Sequence, residues 1–343
     1  MPSISRQTPP RQRTIAPAPT DGILGGGVAA SSLVGSKINA AVYGRNGVGK
    51  TTFACQGEGP IALLAIDPSP TGGARSVLRD DVVVYQVAAK YLTDRAGNTE
   101  RVRGSEKILA IVDAIRRSMI WSAPVCPFKR VVVDGLNSWF EIILSEVMCV
   151  DYQSMPAVLS KGKVSTDQYV ERTERLIRYL RPIVDLPCDV YILAQEKDHN
   201  PPKNDKGLVI GSKLMREVAP AQEGSFFSLA ISDEACRWVQ NACDFVVQLY
   251  EDNEYKEDRL PDVVFNGQLV PGQTQLVPTG RRVKRLRCTY HPNYAARFRG
   301  DYRNIPEYIE APTPEDRHEA FMDAVNGRRS KWGYYLHPAP RGN

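Results

Sequence analysis

Ile38-Asn39-Ala40-Ala41-Val42-Tyr43-Gly44-Arg45-Asn46-Gly47-Val48-Gly49-Lys50-Thr51-Thr52 is the stretch that decides the fold. It opens on a short apolar run of strand character, passes through three closely spaced glycines, and ends on residues that start a helix. Gly44 to Thr51 is a complete G-x-x-x-x-G-K-[ST] element. Glycines let backbone N–H groups turn inward and approach phosphate oxygens with no Cβ in the way. The helix N-terminus behind them adds partial positive charge. The pattern assigns phosphate binding to Gly44, Arg45, Asn46, Gly47, Val48, Gly49, Lys50 and Thr51. Within it Lys50 would reach the β- and γ-phosphates of a nucleotide such as ATP, and the Thr51 hydroxyl would ligate Mg²⁺.

Outward from this stretch, apolar runs alternate with helical periods. Ile61–Ile66, Val82–Val87, Val131–Asp134 and Val190–Ala194 read as strands. Residues 105–119, the segment around Trp139 to Val147, and Thr166–Leu180 read as helices. Further on, Ser232 caps a helix through Trp238, Phe245–Tyr250 is a strand, and Asn266-Gly267 marks a hairpin. Val283–Tyr290 is the last strand, and Thr313-Pro314-Glu315-Asp316 reads as the start of a terminal helix. Such alternation specifies an α/β fold, a mostly parallel sheet with helices on both faces. The expected organisation is a Pro/Gly-rich basic tail over 1–36, one ATPase domain over 37–312, and a C-terminal helix and tail over 313–343.

Asp134 ends an apolar strand well downstream of Thr51, where an acid would hold Mg²⁺ through water; the bland alternative is a helix cap. Gly135 follows it, where many AAA+ ATPases carry a catalytic Glu. Gln195 ends the fifth strand at the carboxyl edge of the sheet, placed to sense a γ-phosphate. The polar stretch His199–Gly211 behind it suits a surface loop that couples nucleotide state to a polyanion.

The chain has 343 residues, with 44 Lys+Arg against 39 Asp+Glu, a formal charge of +5. Residues 1–37 and 197–216 each carry +3 and residues 281–299 carry +7, so the remainder is net acidic. Concentrated basic segments suggest an anion-binding surface. On a strand, Arg281, Arg282, Lys284, Arg285 and Arg287 would present cations on both faces. One face would meet nucleic-acid phosphates, with Tyr290, Tyr294 and Phe298 stacking bases; the other would give an arginine finger to a neighbouring subunit. A charged edge strand is the competing reading. The seven cysteines lack CxxC spacing and suit reduced thiols in a cytoplasmic protein, and no apolar stretch is long enough for a membrane span.

Taken together, the phosphate loop, the Val131-Val132-Val133-Asp134 strand, the 166–184 helix leading to VYILAQEKD, and RLRCTYHPNYAARFRG followed by IPEYIEAP resemble the phage nucleotide-binding ATPases with a RecA-like P-loop core. Some of that group are single-strand annealing recombination proteins. The resemblance covers roughly residues 38–312 and implies phosphate binding from Gly44 through Thr52, γ-phosphate sensing by Gln195, and Mg²⁺ at Thr51 and Asp134; a finger from a neighbour's Lys284, Arg285 or Arg287 predicts self-association into a homo-oligomeric ring or filament. It also implies single-stranded DNA contact by the segment carrying Lys197, Lys203, Lys206 and Lys213. RecA-like ATPases usually place a water-activating Glu after the second strand; here Asp67 stands as a shorter substitute, with Glu196 a second carboxylate at a strand end. The expected function is a Mg²⁺-dependent ATPase acting on single-stranded DNA in phage recombination or replication. The expected catalytic set is Lys50, Asp67, Gln195, Arg285 and Arg287. The alternatives are a nucleotide-gated DNA-binding or scaffold protein without useful turnover, and a small-molecule phosphotransferase.

Overall fold

Strand β1 (Asn39–Gly44) is buried on both faces, as an apolar run in the middle of a parallel sheet must be. The structure is a computed structural model that describes residues 37–66, 73–87, 90–93, 99–102, 104–121, 126–150, 164–198, 227–259, 263–265, 268–270, 274–289, 294–298, 306–326 and 328. The expected N-terminal tail, Asp67, Lys203, Lys206, Lys213 and Tyr290 lie outside the described residues.

After β1 come α1 (Lys50–Ala54), β2 (Ile61–Ala65), a 3-10 turn at Gly73–Ser76, and β3 (Val82–Gln86). A hairpin of β4 (Lys90–Thr93) and β5 (Thr99–Val102) precedes α2 (Gly104–Trp121). Next are β6 (Arg130–Asp134), α3 (Leu136–Val147), α4 (Thr166–Val184), β7 (Asp189–Asp198), β8 (Phe227–Leu229) and α5 (Asp233–Ala242). The last third holds β9 (Phe245–Arg259), β10 (Val263–Phe265), β11 (Gln268–Val270), β12 (Thr274–Arg287), β13 (Arg297–Phe298), β14 (Tyr308–Glu310) and α6 (Pro314–Val325).

The main sheet has the order β14-β12-β9-β1-β7-β6-β2-β3, with β13 paired to β9 and β8 to β7. Strands β9, β1, β7, β6, β2 and β3 run parallel, and β12, β13, β14 and β8 add antiparallel. The fold is therefore α/β with a mostly parallel sheet. Alternation along the strands divides the core into two layers. Ala41, Tyr43, Val131, Val133, Val190 and Ile192 pack under α2 to α5, and Ala40, Val42, Val132, Tyr191 and Leu193 pack under α1 and α6. Among the described residues no helix is long and apolar enough to cross a membrane.

Helix α1 has only five residues, too few to hold itself in water. Its C-terminal carbonyls are bonded from outside: Arg130 donates to Ala54 O and Gln56 O, and Arg79 donates to Cys55 O. Cations at a helix C-terminus also oppose its dipole. Phe53 of α1 packs edge-on against Phe321 and His318 of α6, within a ring cluster that includes Phe245, Phe298 and Tyr191. Full burial of a phenylalanine such as Phe321 is worth about 1.5–3 kcal/mol. The helix signal at Thr313-Pro314 is therefore the start of an element that braces α1 through the core.

Two expectations change here. The basic segment starting at Arg281 is an edge only in part: β12 begins at Thr274 and pairs on one side with β9, with an irregularity between Pro278 and Arg282, and β14 covers its other side at Arg285–Arg287. Phe298 is buried against Phe245 with ring centroids 4.4 Å apart, and Tyr294 stacks on Phe227 at 5.3 Å, so neither is a free platform for bases. Five of the seven free cysteines are buried, and Cys149 is exposed.

Burial, with Arg130 and Arg79 nearby, pushes the His318 imidazole well below its ordinary 6.5, so it is neutral in the folded protein. Below pH 6.5 the unfolded chain takes up a proton that the folded chain refuses, and stability falls with pH. Between pH 7.5 and 5.5 this site should lose about 1.4 kcal/mol. His318→Leu should remove that increment from the pH dependence of urea unfolding; an unchanged pH slope would contradict the assignment.

Candidate phosphate-loop site

The carboxyl ends of β1, β7 and β6 lie abreast, with Gly44 paired to Gln195 and Leu193 paired to Asp134. Ligand crevices of open α/β sheets lie at such strand ends. A cavity of about 450 Å³ opens there, lined by the phosphate loop, Gly73, Ser76, Asp134, Asn137, Gln195 and Lys284.

Glycine is demanded at distinct points of the loop. A Cβ on Gly44 would lie 2.0 Å from the Leu249 carbonyl oxygen of β9. Gly47 and Gly49 hold left-handed φ values of 78° and 98°, and Gly49 is the residue from which α1 starts. Between them Val48 is buried in the core layer of α1, pinning the turn. The loop's shape is thus set by packing before any ligand enters.

The Lys50 ammonium folds back onto its own loop, donating to Gly44 O and Arg45 O at 2.9 Å each. Burial lowers its pKa to about 8, with Asp134 and Glu196 pulling the other way. Thr51 Oγ1 donates to Asp134 Oδ2 at 2.8 Å. Alternation on β6 points Asp134 to the same side of the sheet as α1. The pair joins the two residues expected at a metal, and a hydroxyl beside a carboxylate fits Mg²⁺, which takes hard oxygen donors. Phosphate oxygens and water would complete its shell.

Gln195 lies beside this pair, its backbone N–H donating to Asn137 Oδ1 at 3.3 Å. The next residue faces the other way. Glu196 accepts from Gln248 Nε2 at 2.7 Å and lies 3.6 Å from Arg45 Nε, so this carboxylate is engaged away from the cavity. Lys197 is exposed on β7 just beyond.

The finger candidates are placed differently from expectation. Arg285 is committed within its own chain, to Asp252 at 2.6 Å and Glu310 at 2.7 Å, over the Tyr308 ring. Arg287 donates to Gln248 Oε1 and lies between the rings of Tyr250 and Tyr294. Arg281 faces Glu254, and Arg282 and Lys284 face Glu251 across the ladder. Much of the charge on β12 is the complement of an acidic β9 rather than a surface awaiting a polyanion.

The cavity also contains residues that sequence reasoning passed over. Gly73 stands so close to the metal pair that a Cβ there would fall 2.1 Å from Thr51 Oγ1, and Ser76 bonds Thr52 at 2.9 Å. The one signal was the second glycine pair, Gly72-Gly73. Gly135, the N-cap of α3, adopts φ 101°, which explains why a side chain is absent after Asp134. Gly135→Ala should cost about 1–2 kcal/mol in thermal unfolding and Gly135→Asn clearly less, because Asn tolerates the left-handed region; equal costs would contradict a conformational cause.

The AAA domain family matches residues 36–283, a span that includes the phosphate loop, Asp134, Gln195 and most of β12. No curated protein matches the chain significantly. The match covers well over half of the sequence and includes every residue of the cavity just described except Lys284, so the chain belongs to the AAA domain family of P-loop ATPases.

Proposed function

We propose that this domain binds Mg²⁺-ATP in the cavity at the strand ends, hydrolyses it, and couples nucleotide state to single-stranded DNA. The observation that carries the nucleotide part is the convergence of Lys50, Thr51, Asp134 and Gln195 at one cavity from three parallel strand ends. In the reaction, water attacks the terminal phosphorus in line with the departing ADP oxygen, giving ADP and phosphate. Bound between Thr51 and Asp134, Mg²⁺ would supply charge neutralisation at the phosphate oxygens. Loop amides hold the phosphates, and the Lys50 ammonium exchanges the Gly44 and Arg45 carbonyls for phosphate oxygens. The Gln195 amide orients the terminal group. With Gly135 excluded and Glu196 engaged elsewhere, Asp67 after β2 is the carboxylate we assign to the water.

For the DNA part, support comes from β7 together with the family resemblance of the sequence. Gln195 lines the cavity and Lys197 is exposed two residues on, where the chain enters the segment that carries Lys203, Lys206 and Lys213. One strand thus leads from the nucleotide to the basic segment. Self-association into a ring or filament belongs to the same proposal. A second reading, nucleotide binding without useful turnover, is favoured by the left-handed Gly135 and the engaged Glu196.

ATPase rate with and without single-stranded DNA at two salt concentrations tests the proposal. Lys50→Ala should abolish turnover, Asp67→Asn should lower it by about 10²-fold or more, and DNA should stimulate the wild type less as salt rises. Wild-type turnover no higher than that of Lys50→Ala would favour the second reading. A rate indifferent to DNA would remove the DNA part alone. The depressed pKa of Lys50 gives a further check. Only about a tenth of sites keep the ammonium at pH 9, so ATP affinity should be up to about tenfold weaker there than at pH 7, and Lys50→Arg should flatten that dependence.

A further inference from the structure

Among the described residues two lysines, not one, reach the phosphate loop. Lys284 stands opposite Glu251 in the β9–β12 ladder, and its direction is fixed by strand alternation. Leu286, two residues on and on the same face, is fully buried in the core layer of α1, while Arg285 between them is tied off on the opposite face. The Lys284 ammonium consequently hangs over the loop: a Cβ built on Gly49 would lie 3.7 Å from its Nζ. It lines the same cavity as Lys50 and Thr51.

Its present bond is weak. Nζ lies 3.7 Å from Glu251 Oε1, longer than a hydrogen bond, and Glu251 is shared with Arg282. Solvent-accessible pairs of this kind contribute about 0–1 kcal/mol. Nothing comparable holds for Arg285, whose two short carboxylate contacts commit it. The ladder that carries Lys284 is also locked to the loop, because Gly44 packs directly on the Leu249 backbone of β9. The cation and the loop it overhangs therefore belong to the same subunit.

We propose that Lys284 is a phosphate-binding residue acting in cis, held by Glu251 until a nucleoside polyphosphate enters and then transferred to its oxygens. This rests on the nucleotide reading above and adds a contact to it. A second ammonium beside Lys50 clamps the polyphosphate between the start of α1 and β12 of one subunit. It supplies in cis the charge that the sequence assigned to a neighbour's finger.

The test uses the full-length protein with ATP as probe, titrated at low salt. Lys284→Ala should weaken ATP binding by about tenfold or more with an unchanged urea midpoint, and Lys284→Arg should stay within about threefold of wild type. Glu251→Gln removes the competing carboxylate and should tighten ATP binding. Mixing Lys284→Ala with Lys50→Ala protein should leave ATP affinity no tighter than that of Lys284→Ala alone, because neither subunit then holds both cations. Wild-type affinity in Lys284→Ala, weaker binding in Glu251→Gln, or recovered affinity in the mixture would each overturn the assignment, the last by showing action in trans. Failure of the wild type itself to bind ATP would overturn the nucleotide reading first and this proposal with it.

Discussion

The Leu249 carbonyl passes so close to Gly44 that no side chain fits between them, and the ligand end of the sheet is organised around that contact. With backbone against backbone, β9 lies tight beside the end of β1, and the loop turns away over the buried Val48. Gly49 then enters α1 in a left-handed conformation that brings Thr51 to Asp134 across the end of β7. The same approach carries β12 alongside the loop and so determines which of its cations reach the cavity. A methyl group at residue 44 would disturb the loop, the metal pair and the β9–β12 ladder together.

What the loop gains in geometry it lacks in intrinsic stability, because five residues of helix cannot persist alone. The missing stability comes from distant sequence. Arg79 and Arg130 bond the end of α1, with Arg130 also stacked on Tyr191, and α6 presses Phe321 and His318 against Phe53. A residue more than 260 positions downstream in the chain thereby supports the phosphate loop. Burying a histidine beside two guanidinium groups is tolerated only because the ring stays neutral, which ties the stability of this support to pH.

The sequence was legible where one physical requirement dominated. The glycine-lysine-threonine spacing, the apolar runs of the parallel core and the helix starts at Ser232 and Thr313-Pro314 each reflect a local rule, and each appears in the structure. Gln195 was placed at the cavity because strand ends in α/β sheets meet there. Less legible was anything that depended on a partner strand. The cluster from Arg281 to Arg287 read as an open basic surface until the register set it against Glu251, Asp252 and Glu254. The ladder itself extends to Arg259 and back to Thr274, through polar sequence with no apolar alternation to announce it. Lys284 belonged to the right group of candidates, but its action within the chain follows only from knowing that Leu286 points to the core. Gly73 carried no signal beyond its glycine identity, since its role is to make room for Thr51.

The central claim is that Thr51 and Asp134 act as one Mg²⁺ site for a bound nucleotide. A double-mutant cycle on ATP affinity, using Thr51→Ala, Asp134→Asn and the double variant with and without Mg²⁺, tests it most directly. The expected result is a coupling of about 1 kcal/mol or more in Mg²⁺ that disappears with EDTA. Additive losses that are the same in Mg²⁺ and EDTA would contradict it.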